Sequence, residues 1–262
     1  MLSLDLTGKT ALVGGSTQGI GFASARALAS LGATCVLVAR NEEKLKQAIL
    51  KLDKAAGQMH SYIVADYSDP EQVRNAVGSF VKDNTVHILV NNSGGPAGGP
   101  ITKAQPEEFM NAFRQHLICN HIITMLVSEG MKREKYGRVI NIISTSVKIP
   151  LKDLGVSNTI RGSVASWAKT MANELAQFGI TVNNVLPGAT STERLDTILG
   201  NKSAKTGKDK GEVEKEMIEE IPARRFGKPE EIAAMVAFLA SPAAAYVNGT
   251  SIPVDGGRTG SI

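Results

Sequence analysis

Thr10-Ala11-Leu12-Val13-Gly14-Gly15-Ser16-Thr17-Gln18-Gly19-Ile20-Gly21 runs directly into the alanine-rich Phe22-Ala23-Ser24-Ala25-Arg26-Ala27-Leu28, and the reading of this stretch decides the fold. Thr10–Gly14 is a short β-rich apolar run. The segment after Gly21 is rich in helix formers. Between them lie three glycines in the spacing Gly-x-x-x-Gly-x-Gly (Gly15, Gly19, Gly21). Glycines allow a tight turn and let backbone N–H groups approach a phosphate closely, while the helix start adds partial positive charge. The spacing differs from the commoner Gly-x-Gly-x-x-Gly, and a plain tight turn would also account for it. The strand before and the helix after favour a phosphate cradle made of Gly15, Ser16, Thr17, Gln18, Gly19, Ile20 and Gly21.

Working outward, the same alternation repeats. Further strands are expected at Thr34–Ala39, His60–Ala65, Ile88–Asn91, Arg138–Ser144, Thr181–Leu186 and Ser251–Val254. Helix-compatible segments separate them. The clearest is Ser157–Phe178, where Ile160, Val164, Trp167, Met171 and Leu175 share one helix face. Asp69 before Pro70 reads as an N-cap. Strand–helix alternation needs crossovers, and crossovers make parallel sheets. The chain of 262 residues shows no linker or repeat. The expectation is one α/β domain over 1–262: a doubly wound, parallel, seven-stranded sheet with helices on both faces. Ligands of such sheets bind beyond the carboxyl ends of the strands.

Composition excludes disorder and disulfide scaffolds. Lys and Arg number 29 against 25 Asp and Glu, a formal charge of +4. The charges are interspersed, so no nucleic-acid partner is expected. Lys202–Glu220 concentrates both signs and reads as a mobile lid or a solvated helix. Cys35 and Cys119 lack a CxxC partner, so both read as small core residues and no metal site is expected. No signal-peptide pattern and no apolar run near the roughly 18 residues of a membrane span is present, which makes the cytoplasm the expected location.

The second strand ends Val38-Ala39-Arg40-Asn41. Sites for NAD place a carboxylate there to hold ribose hydroxyls. A guanidinium instead suits a 2′-phosphate, so Arg40 argues for NADP over NAD. The alternative is an arginine that merely begins a solvated helix.

Several further motifs then fall in order. Asp66, with Tyr67 beside it, ends the third strand. Asn91-Asn92-Ser93-Gly94 ends the fourth. Gly137-Arg138-Val139-Ile140-Asn141-Ile142-Ile143-Ser144 forms the fifth. Pro187-Gly188-Ala189-Thr190-Ser191-Thr192 follows the sixth. Phe226-Gly227-Lys228-Pro229-Glu230-Glu231-Ile232 and Val254-Asp255-Gly256-Gly257 come near the C-terminus. Together they resemble the short-chain dehydrogenase/reductase family, and within it the 3-oxoacyl-acyl-carrier-protein reductases, over essentially the whole chain. The resemblance implies a Rossmann-like fold. It places Asp66, Tyr67, Asn91, Asn92, Ser93 and Gly94 on the adenosine side. It sets Pro187, Gly188, Thr190 and Thr192 at the nicotinamide, and makes Ser144 the catalytic serine. It also implies a homotetramer or homodimer built through Phe109–Met131 and Ser157–Phe178.

The family reduces carbonyls with a Ser, Tyr, Lys and Asn set. Here the tyrosine position, thirteen after Ser144, is Ser157, and the lysine position four later is Arg161. His116 stands where the asparagine is expected, with Asn120 a rival about one turn too late. Tyrosine has a pKa of about 10 that a nearby cation can lower; serine is far less acidic, and arginine does not relay a proton. Ser157 and Arg161 share a helix face. With an ordinary pKa of about 6.5, His116 is the candidate proton donor, directly or through Ser157 and water, while Ser144 binds the carbonyl oxygen. The alternative for His116 is packing between helices. Phe109, Phe113 and Leu117 read as a core or subunit-contact stripe, His60 and His121 as surface or packing histidines, and Trp167 as core or oligomer packing. Asn92–Pro100 and Thr190–Gly211 are expected to border the cleft. The expected function is NADP-dependent interconversion of a small carbonyl and its alcohol. The alternative is a non-catalytic dinucleotide-binding sensor or assembly subunit.

Overall fold

The computed structural model describes residues 2–261. Seven strands form one sheet: Thr10–Gly14 (β1), Thr34–Ala39 (β2), Ser61–Val64 (β3), Ile88–Asn91 (β4), Gly137–Ile142 (β5), Ile180–Pro187 (β6) and Ser251–Val254 (β7). Their order is β3-β2-β1-β4-β5-β6-β7, and every neighbouring pair is parallel. The order reverses between β1 and β4, which opens a crevice at the carboxyl ends of those strands.

Alternating side chains along the strands feed two separate cores. Ala11 and Val13 of β1 face the helices Gly19–Ser30 (α1), Glu42–Ile49 (α2) and, near the C-terminus, Pro229–Ala240 (α9). Leu12 points the other way, towards Pro70–Val81 (α3), Cys119–Glu134 (α5) and Gly155–Leu175 (α6). The remaining helices are Pro106–Phe113 (α4), Glu193–Thr206 (α7) and Lys210–Glu219 (α8). A fully buried Leu or Ile contributes roughly 1.5–3 kcal/mol. The ion pairs, such as Lys46 with Glu42 at 3.3 Å, lie at the surface and contribute about 0–1 kcal/mol each. The two apolar layers therefore hold the fold.

Helix starts follow the local chemistry. Asp69 Oδ1 accepts from the N–H groups of Glu71 and Gln72 at 3.1 Å, with Pro70 in the first turn. Several boundaries differ from the sequence expectation. β3 is shorter than His60–Ala65, because His60 leaves the ladder: its Nδ1 accepts from Cys35 N at 3.0 Å. β5 stops at Ile142, and Ser144 instead caps a 3-10 turn, its Oγ accepting from Ser146 N at 3.1 Å. α6 begins at Gly155, packed against Ile101, and closes through a 3-10 turn to Gly179, whose φ of +75° suits glycine. Lys202–Glu220 forms the end of α7 and all of α8, with Val213 buried against Leu195 and Leu199. It is a helical, solvated face.

Cys35 and Cys119 are both buried, and that burial pushes each thiol up to about 12, so neither is a reactive thiolate. Phe109 and Phe113 pack on Val156 and Ile160, and Leu117 packs with Ile143, Val164 and Leu186. Trp167 Nε1 donates to His121 Nδ1 at 3.3 Å. No helix among the described residues is long and apolar enough to cross a membrane.

Candidate active site

The turn from β1 into α1 is shaped by contacts that only glycine tolerates. A Cβ on Gly21 would strike the Gly15 carbonyl oxygen and approach the Gly15 carbon at 2.8 Å and Asn92 Nδ2 at 2.7 Å. Gly15 and Gly19 hold φ of +54° and +55°. Asn92 Nδ2 ties the turn down by donating to the carbonyls of Gly14 (3.1 Å) and Gly15 (3.3 Å). Ser16 is buried and its Oγ accepts from Val38 N at 3.1 Å, which fixes the turn to β2. Gln18 occupies the N-cap of α1 but its side chain makes no capping bond, and the first turn holds no acid. Thr17 and Ile20 flank that N-cap. Free N–H groups at a helix start, beside a backbone cradle with no room for a Cβ, fit the diphosphate of a dinucleotide.

The neighbouring parts of the predicted site gather around this turn. Thr192 Cγ2 lies 3.4 Å from where a Gly19 Cβ would stand, and Gln18 Nε2 donates to Glu193 at 2.8 Å. Thr190 Oγ1 donates to the Gly188 carbonyl at 3.0 Å, just beyond Pro187. Gly188 packs so closely on Asp255 that a Cβ there would lie 2.7 Å from the aspartate's own. On the other side, Asp66 accepts from Ser68 N at 2.9 Å, and that bond, helped by Arg40, holds its carboxyl below the usual range. Arg40 is exposed at the end of β2. The Tyr67 hydroxyl sits under Gly14, and burial pushes its pKa up.

Below the site runs a row of amides that sequence reading did not assemble. Asn91 Nδ2 donates to Asn141 Oδ1 (2.9 Å), Asn141 Nδ2 to Asn184 Oδ1 (2.9 Å), and Asn184 Nδ2 to Ser251 Oγ (3.0 Å). The three asparagines are buried, and each partner is its register neighbour on the adjacent strand. An unsatisfied buried amide costs about 1–3 kcal/mol, so the row strongly disfavours slippage of β4–β7 and fixes the strand end that carries Ser144.

Arg161 reaches across to that strand end: its Nη1 donates to the Ile142 carbonyl at 3.1 Å. Ser157 stands one turn earlier in α6, half-buried. His116 lies in a π-helical turn, Arg114–Ile118, between α4 and α5; such turns recur at functional sites. Its Nδ1 meets Ser93 Oγ at 2.8 Å. Gly94, next in the chain, has open space around its Cα. Asn120 is also buried, in the first turn of α5. Arg194, at the start of α7, joins the group, its Nη2 donating to the Pro96 carbonyl at 2.5 Å. Asn92–Pro100 and the start of Thr190–Gly211 thus meet at one point. Sequence reading named those loops but missed Arg194, whose only signal was its position within the second.

The electrostatics of this cluster bear on the role of His116. Burial, together with Arg161 and Arg194, lowers the His116 pKa from 6.5 to about 3. The ring is therefore neutral at pH 7 and is not an imidazolium waiting to donate. Arg161 is also shifted down, to about 10, by burial and by Arg194, and stays charged at neutral pH. The unfolded chain binds a proton at residue 116 between about pH 6.5 and pH 3 that the native chain refuses, so stability falls as pH drops through that window. Tm measured from pH 7 to pH 4 should fall less steeply in His116→Phe than in the wild type. Equal slopes would show that His116 titrates normally.

A family model described as enoyl-(acyl carrier protein) reductase matches residues 15–259. The 3-oxoacyl-acyl-carrier-protein reductase FabG of Rickettsia conorii is 34% identical, over 97% of this chain and 98% of that protein. The NADPH-dependent reductase BacG of Bacillus subtilis is 30% identical, over 97% and 99%. Among solved structures, the L-sorbose reductase of Gluconobacter frateurii, complexed with NADPH and L-sorbose, is similar with a TM-score of 0.92 at 29% identity, over 100% of both chains.

Proposed function

The chain belongs to the short-chain dehydrogenase/reductase family, and from that premise we propose an NADP(H)-dependent oxidoreductase that interconverts a small carbonyl compound and its alcohol through an altered proton path. One observation carries the reading. The uncapped glycine turn and the Ser144–Arg161 cluster are joined by a single helix start, through Thr192 facing Gly19 and Arg194 facing Gly95. Gly15–Gly21 would hold the diphosphate, Asp66, Tyr67 and Asn91–Gly94 the adenosine side, Arg40 the 2′-phosphate, and Pro187, Gly188, Thr190 and Thr192 the nicotinamide amide.

The bound dinucleotide supplies the hydride. Ser144 donates a hydrogen bond to the substrate oxygen, which gains the carbonyl π pair as the carbon–hydrogen bond forms. Arg161 faces that growing negative charge and also suits the ribose hydroxyls. It remains protonated, so it stabilises the oxyanion without transferring a proton. Ser157 connects the oxygen to water, from which the balancing proton comes. Neutral His116, fixed by Ser93, orients this path by hydrogen bonding. A second reading is hydride addition to a carbon–carbon double bond conjugated to a carbonyl. The missing tyrosine favours it, because the resulting enolate is less basic than an alkoxide and demands a weaker proton donor.

Cofactor absorbance and fluorescence, followed with NADPH or NADH against ketones, aldehydes, 3-oxoacyl thioesters and their enoyl counterparts, test the proposal. Turnover with NADPH is expected. Binding with no oxidation across the panel would favour the sensor or assembly-subunit reading, and binding of neither dinucleotide would remove both. Arg40→Glu should weaken NADPH binding at least about tenfold while sparing NADH, since a charge-assisted phosphate contact is worth roughly 1.5–3 kcal/mol. Equal loss for both cofactors would take the 2′-phosphate away from Arg40. Assembly through α4–α5 and α6 belongs to the same proposal, and exposed Met110 and Met125 on those helices suit it.

A further inference from the structure

Two guanidinium groups meet in the cleft with no carboxylate between them. Arg161 is buried, with 8% of its surface exposed, and forms the base of the cleft; Arg194 is exposed at its mouth. Their Nη2 atoms lie 3.6 and 3.3 Å from the point where a Cβ on Gly95 would stand, so both guanidinium tips converge on Gly95, where a side chain would crowd them. Each donates to one backbone carbonyl, Ile142 for Arg161 and Pro96 for Arg194. Neither forms an ion pair with any Asp or Glu among the described residues. Arg161 Nε and His116 Nε2 are both buried without a hydrogen-bond partner. When the Ser93 hydroxyl donates to Nδ1, the ring proton sits on Nε2, which becomes a further donor.

Unfilled donors and adjacent like charges are both costly, and an entering anion relieves both at once. Planar guanidinium forks match a carboxylate in shape as well as charge. The phosphates of a dinucleotide have their own cradle at Gly15–Gly21 and their own cation at Arg40. We infer that the substrate carries a carboxylate, held between Arg194 at the mouth and Arg161 at the base, close to the carbonyl that Ser144 binds. Its class is the small oxo acids and the corresponding hydroxy acids. The carbonyl part rests on the function proposed above; the carboxylate site does not.

Calorimetric titration of a panel of two- to six-carbon oxo acids and their uncharged methyl esters, into protein alone and into NADPH-saturated protein, tests this. At least one acid should bind both forms, at least about tenfold more tightly than its ester. Arg194→Gln should weaken the acid about tenfold or more, leaving the ester and NADPH unchanged, and Arg194→Lys should recover only part of the loss. Equal binding of acid and ester, indifference to Arg194→Gln, failure of every acid, or displacement of the acid by NADPH would overturn the inference. If NADPH fails to bind while the acid still does so through Arg194, the carboxylate site stands and the dehydrogenase reading falls.

Discussion

Gly21→Ala is expected to lower NADPH affinity at least about 100-fold, a loss near 2.7 kcal/mol, with the protein still folded. The added methyl group meets backbone on one side, the Gly15 carbonyl, and the Asn92 amide on the other. That amide is itself committed to the Gly14 and Gly15 carbonyls, so it has nowhere to swing. The turn must open, and the N–H groups that face a diphosphate lose their common focus. Alanine is about 1 kcal/mol better than glycine inside a helix, which offsets part of the strain at the α1 start. Cofactor fluorescence and thermal melts separate the two effects. Gly200→Ala, on an exposed helix face with open space around it, is the control: it should leave NADPH binding unchanged and raise Tm slightly through the same helix preference. Undiminished NADPH binding in Gly21→Ala would mean that the turn is only a turn.

The second large effect is on chemistry. Ser144→Ala should reduce kcat about 10²- to 10³-fold and leave NADPH affinity within about twofold, because a donor to a developing oxyanion is worth roughly 2.7–4 kcal/mol and acts in the transition state. Its surroundings predict little collateral damage. Ser144 sits in extended backbone after β5, and its hydroxyl accepts one bond, from Ser146 N. Steady-state rates on the best carbonyl of the panel, beside a fluorescence titration, measure both numbers. A rise in KM alone would assign Ser144 to ground-state binding.

What could be read from sequence was local or periodic. The β1 turn, the strand–helix alternation, the Asp69 cap and the apolar stripe of α6 each depend on residues a few positions apart. The Arg161–Arg194–His116 cluster depends instead on loops from three crossovers meeting over Gly95. Nothing near Arg194 in the chain signals its partner, which is why Ser157, Arg161 and His116 were legible as substitutions in a pattern while Arg194 was not. The asparagine row escaped for the same reason: its members are 50 and 43 positions apart. His116 shows a different limit. Its type suggested an acid–base role at neutral pH, whereas burial beside two cations decides its charge, and burial is a tertiary property.

The crystal structure of the NADPH complex tests the central claim most directly. The diphosphate should rest on the N–H groups at the start of α1, beside Gly19 and Ile20, with the reactive carbon of the nicotinamide turned towards Ser144 Oγ and Arg161. Density for the cofactor elsewhere, or a nicotinamide ring facing away from Ser144, would contradict the account.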